Sequence, residues 1–471
     1  MLQRIREGLT LVLIAVLPLH ALLVTVGTKI IAGPGNSPLP MLAIWKEGVL
    51  GVILIVAAVE WAGKLRMKNE ELRMDVLDLC IVSLFLWSLV QSFILHSSFF
   101  ILHYAFGFKY DFLPLIAFVL LRRVQWSSSF IRTAGAVLLG VGCIVALYGI
   151  IVMFLPMSWF TVLGYSDLHS LYVPGGPLAP FQQIESISIR RMQSTFSGPN
   201  QLGLWLLIPV SMLLTTLSSK KVNGYGLRVT SFILMFIAIA LSFSRAAWIA
   251  AAVISGVALW KYLPKGTRVV AGSAFLGAGI VIVASVLILA PDVVLRAASS
   301  TGHIERPLQA LQMMKEHPWG LGLGTAGPAS NRFSDTCIDL PAGSDATWAT
   351  PHTNLCVFVG GEQAQPNDRA CACPVLPENW YLQIGVELGW IGFALYLVLV
   401  VRLLQRLMKL RMKNEELKMT FFILHSSFFI FLGISIAALF LHAWEDSAVA
   451  YTVWILLAVV LTPQQKRPLN P

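Results

Sequence analysis

A small set of charged side chains stands where chemistry on an anionic substrate would need them. Arg190 and Arg191 precede Met192-Gln-Ser-Thr-Phe-Ser-Gly198-Pro199-Asn200-Gln201, and Arg245 lies within Ser242-Phe243-Ser244-Arg245-Ala246-Ala247-Trp248. Arg306 opens a segment that runs to His317-Pro318-Trp319-Gly320-Leu-Gly-Leu-Gly324, and Glu378 precedes Asn379-Trp380-Tyr381-Leu382-Gln383, with Gly389-Trp390-Ile391-Gly392 beyond. A guanidinium is a planar fork that matches phosphate oxygens, and several together offset the charge of an anionic group. A carboxylate can take the proton of an attacking hydroxyl, the more so where partial burial raises its pKa. His352, in Pro351-His352-Thr353-Asn354, is a second candidate base, although a lone loop histidine is more often simply exposed. In Trp444-Glu445-Asp446 the acids could hold a basic side chain or orient an acceptor, and the plainer reading is a solvated turn.

The elements that must position these residues are membrane helices. The chain has 471 residues, 56% of them hydrophobic and 12% charged, about half the charge of a soluble protein. Runs apolar enough to cross roughly 30 Å of hydrocarbon recur throughout. They predict about twelve spans, at 9–31, 45–63, 77–95, 98–121, 131–155, 199–218, 227–243, 245–262, 269–290, 379–404, 420–440 and 447–463. The first run is long, lacks a small-residue cleavage pattern and reads as a retained helix. With both termini in the cytoplasm, most of the 34 lysines and arginines fall on inside segments, so the net charge of +10 is an orientation signal, not a nucleic-acid footprint. The expected fold is an all-α polytopic membrane protein with spans 1–9 in 1–290, a large extracytoplasmic loop at 291–378, and spans 10–12 with a short tail in 379–471. A smaller outside loop covers about 156–198.

Within that frame several motifs have local readings. Gly198-Pro199-Asn200 makes a fixed turn into a helix start, whose free N–H groups attract anions. Ser242–Trp248 is a tight turn between spans at the outside face. An arginine there needs water or an anion, or else it is an interfacial anchor with Trp248 in the aromatic belt. Leu308, Leu311 and Gln312 to Lys315 suit an amphipathic helix on the membrane surface, ended by Pro318. The glycines at 320, 322 and 324 permit close backbone approach and do not form a dinucleotide fingerprint. Cys337, Cys356, Cys371 and Cys373 share the large loop, and on an oxidising face they suggest two disulfides. Cys371 and Cys373 are too close to pair with each other. Two connectivities therefore remain, and a zinc site of Cys356, Cys371, Cys373 and His352 would fit no standard spacing. Two verbatim repeats, Arg66–Leu72 with Arg411–Leu417 and Phe93–Ile101 with Phe422–Ile430, sit at unequal spacing and different membrane depths. They read as inserted repetition, and their histidines, His96 and His425, as filler.

Taken in order, Gly-Pro-Asn before a span, Ser-Arg-x-x-Trp between spans, His-Pro-Trp-Gly-x-Gly-x-Gly in the large loop and Asn-x-Tyr-Leu-Gln-x5-Gly-x-x-Gly at its exit resemble the bacterial O-antigen ligase and polymerase superfamily. The resemblance covers roughly residues 185–450. It implies transfer of a glycan from an undecaprenyl-diphosphate carrier to a hydroxyl on a glycan, lipid or protein acceptor, at the outer face of the bacterial cytoplasmic membrane. It implies neither metal nor cofactor, and it assigns the lipid diphosphate to Arg191, Arg245 and Arg306. The expected site has Glu378 and Arg245 as catalytic residues. Arg191, Arg306, Asn200, Trp248, Asn379, Tyr381, Gln383 and Asp446 would contact substrate, with His352 as alternative base. Ligases of the family usually carry histidine where this chain has Glu378, which leaves ligation and polymerisation both open.

The competing expectation is a transporter or lipid flippase. Twelve spans suit one, and Lys46-Glu47 is an intramembrane charged pair, but few other ionisable residues fall near the predicted bilayer centre. The outside clustering of arginines favours the transferase. A reporter fused near Gly343 should report the extracytoplasmic side, and a cytoplasmic signal would overturn the topology.

Overall fold

In hydrocarbon every backbone donor and acceptor must be satisfied within the protein, so runs this apolar form helices. The computed structural model describes residues 1–68, 74–94, 100–168, 175–184, 188–217, 224–262, 297–352, 355–416 and 422–462. Helices α1 (Leu2–Val16) and α2 (His20–Ala32) run on through a 3-10 turn at Leu17–Leu19, where Pro18 has no N–H to give. Next come α3 (Trp45–Lys68) and α4 (Val76–Ile94). A π-helical turn, Phe108–Phe112, joins α5 (Phe100–Gly107) to α6 (Leu113–Leu121). Ser127 caps α7 (Ser128–Met153), its hydroxyl accepting the Phe130 N–H at 3.0 Å. The remaining long helices are α8 (Pro199–Leu217), α9 (Tyr225–Leu241), α10 (Arg245–Tyr262), α11 (Ala297–Glu316), α12 (Trp380–Glu416), α13 (Phe422–Ala437) and α14 (Ser447–Leu461).

Among the described residues, Leu2–Ala32, Trp45–Leu65, Val76–Phe93, Leu102–Leu121, Ser128–Met153 and Trp380–Met412 are long and apolar enough to cross a membrane. Shorter apolar helices cover Tyr225–Leu241, Arg245–Ala258, His425–Ala437 and Ser447–Leu461. The protein is a polytopic membrane protein. The expected span at 269–290 lies outside the described residues. Helix α14 is apolar on every side and buried from Ala448 to Leu461, as such a helix must be. It packs against α6 and α13, and its Trp454 ring lies 5.4 Å from Phe118 and 5.4 Å from Trp444.

Some charges inside the bundle are met by partners. Arg6 is fully buried, bonded to Glu60 (3.1 Å) and to the Gln125 carbonyl (2.6 Å), because a buried charge without a partner is costly. The structure also buries Asp111 and Glu387, and pairs Glu47 with Lys109 at 2.9 Å. The sequence expectation concerned only the predicted bilayer centre and did not address burial of such groups against neighbouring helices. Single acids in apolar runs are easily passed over when hydropathy is averaged across a span.

The large loop is not wholly irregular. It holds β3 (Thr336–Leu340) parallel to β4 (Leu355–Val359), with β5 (Glu362–Gln365) antiparallel beyond; ahead of α8, β1 (Gln182–Ile184) pairs with β2 (Ile189–Arg191). The fold is thus mostly helical, with two small sheets that the all-α expectation lacked. Cys337 and Cys356 face each other across β3 and β4, yet each bonds to the strap that follows, as Cys337–Cys373 and Cys356–Cys371. The sulfurs of the suggested zinc grouping are taken up in those bonds.

The base of the loop is welded to the membrane bundle at a break in α12. Gly389 has φ 67° and ψ −170° inside that helix, which frees the carbonyls of the preceding turn. Neighbours take them. The Leu321 and Gly322 N–H groups donate to Val386 O (2.8 Å) and Glu387 O (3.0 Å), and the Trp87 indole donates to Leu388 O (2.7 Å). In return the Trp390 N–H donates to Pro318 O at 3.1 Å. A Cβ at position 389 would collide with Pro318 O and lie 2.5 Å from the Trp319 carbonyl carbon. Gly389→Ala should therefore cost at least ~1–2 kcal/mol from its left-handed backbone alone, measured as a lower melting temperature of the detergent-purified protein. An unchanged melting temperature would refute the weld.

Candidate active site

Helix α12 begins where the loop ends. Asn379 caps it, its Oδ1 accepting the Leu382 N–H at 3.0 Å, while its amide donates to Leu439 O at 2.9 Å. Glu378, one residue outside the cap, has φ +52°, a conformation side chains other than glycine rarely adopt. Its N–H donates to His442 Nε2 at 3.3 Å. His442 Nδ1 lies 2.5 Å from Gln383 Oε1, and Gln383 Nε2 donates to Glu445 Oε1 at 2.9 Å. Burial, then the charges of Arg306 and His303, push His442 down to about 3, so it stays neutral at physiological pH. Burial, helped by Asp111, holds the Glu445 carboxyl well above the ordinary range.

The Glu378 carboxylate sits among cations. Arg306 Nη1 donates to its Oε1 at 2.5 Å, and His303 Nδ1 is 3.5 Å from Oε2. Arg245, at the first turn of α10, stands within electrostatic reach of the same group. His303 and Arg306 share one face of α11 by i, i+3 spacing. Buried Ala310 and Met314 fix that helix, while Ile304, Leu308 and Leu311 stay exposed.

Arg191 stands one contact away. Its Nε donates to Ser242 O (3.2 Å) and its Nη2 to Asn200 Oδ1 (3.0 Å) and Phe243 O (3.3 Å), while Nη1 reaches Gln182 Oε1 (2.8 Å). This fork ties β2, the start of α8 and the turn ahead of Arg245 into one piece. Arg190 turns the other way, donating to Leu155 O at 2.8 Å beyond α7 and stacking on Phe181.

The structure thus brings Glu378, Arg306 and Arg245 together, with Arg191 bracing the turn beside Arg245. Other expected contact residues have polar atoms engaged within the protein. The Trp248 indole donates to Ile239 O (2.9 Å), Tyr381 OH to Ser435 O (2.8 Å), and Asp446 caps α14 by accepting the Val449 N–H (3.0 Å). His352 lies in the turn into β4, its backbone bonded to Ala349 and Leu355, within the disulfide-bonded lobe. Sequence reasoning missed His303 and His442. The i, i+3 spacing to Arg306 could have flagged His303, whereas His442 meets Glu378 only through folding. Among the described residues, Asp335 lies near Cys356 and Cys371 in a possible metal grouping, but those sulfurs form a disulfide.

The arrangement offers guanidinium forks for phosphate and a carboxylate beside them. Residues 230–354 match the O-antigen ligase family model. The matched stretch contains Arg245 and Arg306, while Arg191 and Glu378 flank it. No curated protein matches the chain.

Arg191→Lys keeps the charge but loses the fork that spans Asn200 and two carbonyls. It should destabilise the protein by about 2 kcal/mol, read in a thermal melt. A melt superimposable on the wild type would show that the fork braces nothing.

Proposed function

We propose that this protein transfers a glycan from an undecaprenyl-diphosphate carrier to an acceptor hydroxyl, by ligation or polymerisation, on the extracytoplasmic face of a bacterial cytoplasmic membrane. The observation that carries the reading is the meeting of Arg306 with Glu378, within reach of Arg245, from segments far apart in sequence. The O-antigen ligase match over 230–354 supports the substrate class. The reading takes the twelve-span layout, with 291–378 outside and flanked by membrane portions 1–290 and 379–471. The acceptor is a hydroxyl of a glycan, lipid or protein, and no metal or cofactor enters the scheme.

In this mechanism the donor diphosphate binds Arg245 and Arg306, with Arg191 holding the neighbouring turn or reaching the lipid phosphates itself. Asn200, Trp248, Asn379, Tyr381, Gln383 and Asp446 shape the surrounding walls. Arg306 cannot serve Glu378 and a phosphate equally, so the incoming diphosphate draws Arg306 away from the carboxylate. Glu378 then takes the acceptor proton as the acceptor oxygen attacks the anomeric carbon. The bond from that carbon to the phosphate oxygen breaks, and the diphosphate leaves with the electron pair. In-line attack inverts the anomeric centre. The guanidinium charges are aimed at the group where negative charge grows, which is where electrostatic catalysis is strongest. His352 is the alternative base.

A transporter remains a second reading, because Asp111 and Glu387 lie buried within the bundle and Glu47 pairs with Lys109 there, as coupled transporters require. Proteoliposomes separate the two. Glycan transfer without net lipid translocation supports the transferase, and the reverse supports transport. In a purified lipid-linked glycan assay Glu378→Gln should lower kcat by about 10²- to 10⁴-fold. Arg245→Ala should weaken donor use by about 10- to 100-fold, the value of a charge-assisted contact. Wild-type turnover in Glu378→Gln would remove it as the base, and in Arg245→Ala would end the diphosphate clamp.

A further inference from the structure

A base must stand still at the right place, and Glu378 stands on a backbone that resists its position. Its φ of +52° lies in the left-handed region, which persists only where surroundings over-determine it. It precedes the Asn379 cap, so its N–H lies outside the hydrogen-bonding of α12 and needs another acceptor. His442 Nε2, 3.3 Å away, is that acceptor.

The chemistry of the neighbours then leaves one arrangement. A backbone N–H only donates, so His442 Nε2 must be bare and the imidazole proton must sit on Nδ1. Nδ1–H therefore donates to the oxygen of Gln383, 2.5 Å away, which turns the Gln383 amide nitrogen to Glu445 Oε1 at 2.9 Å. Gln383 and Glu445 are buried. The chain of bonds runs from a buried carboxyl through an amide and an imidazole to the backbone of Glu378.

We propose that His442 is a positioning residue: anchored by Gln383 and Glu445, it holds the Glu378 backbone in the left-handed turn that presents the carboxylate to Arg306 and the acceptor. The inference rests on the reading of Glu378 as the base, but its first test does not use activity. With burial holding it neutral, His442 has no charge to contribute and acts only through tautomer and geometry.

In protein labelled with 15N-histidine and reconstituted in nanodiscs, His442 should show a protonated Nδ1 and a bare Nε2 that persist from about pH 5 to pH 8, well above its lowered pKa. The signal is assigned by its absence from His442→Gln. Gln383→Leu should destroy that tautomer preference. In the transfer assay His442→Phe should lower kcat by roughly 10- to 100-fold, as misplacement of a catalytic group does, with KM for the lipid-linked donor unchanged. His442→Gln, which keeps an acceptor near the Nε2 position, should recover part of the loss. Because His442 acts through Glu378, His442→Phe should cost nothing further in a Glu378→Gln background. A proton on Nε2, a histidine that titrates within this range, or a loss that adds in full to that of Glu378→Gln would overturn the proposal. Wild-type transfer by Glu378→Gln would instead end the base reading, and the tautomer would still decide whether His442 holds this backbone.

Discussion

The structure depends on a contact made largely by backbone. The loop segment around Pro318–Ala326 lies against the broken start of α12, exchanging hydrogen bonds with carbonyls that an unbroken helix would have kept for itself. Glu387 extends the seam, its Oε1 accepting the Gly324 and Ala326 N–H groups at 3.1 and 3.2 Å. On the far side Gly324 lies against Gly107 with no room for a side chain on either. Two side chains of α4 donate at this seam, Gln91 to the Trp319 carbonyl and Trp87 to the Leu388 carbonyl, each at 2.7 Å. Because α11 ends directly at the seam, its position fixes where His303 and Arg306 fall relative to Glu378.

The resulting site has an unusual balance of charge. One carboxylate faces two arginines and a histidine, which leaves a positive surplus when no substrate is present. In the proposed reaction that surplus would suit a dianionic leaving group, with Glu378 occupying part of it in the meantime. On that proposal a single carboxylate serves both as the resting counter-ion of the phosphate seat and as the group that the substrate sets free.

Much of this was legible before any coordinates. The turn at Gly198-Pro199-Asn200 and the arginine opening α10 lie at element boundaries, where residue type declares backbone geometry. The amphipathic character of α11 was visible in Leu308 and Leu311. What remained hidden was pairing across distance. Nothing local joins Arg306 to a glutamate 72 residues on, or Glu378 to a histidine in the turn before α14. Asp111 and Glu387 escaped for a different reason, since one acid scarcely alters the mean hydropathy of a long apolar run. The small sheet of the loop was missed because its strands are short, and the cysteines that staple it left two connectivities open.

The break at Gly389 has a mechanical meaning as well. It divides α12 into a short leading segment that carries Asn379, Tyr381 and Gln383, and a long trailing one that crosses the bilayer. Helices answer a thicker or thinner bilayer by tilting. A tilt of the trailing segment can be taken up at the break, with the leading turns still clasped by the loop and by the α13–α14 turn. The turns beside Glu378 are thus held by the loop and the α13–α14 turn rather than by the span that follows the break.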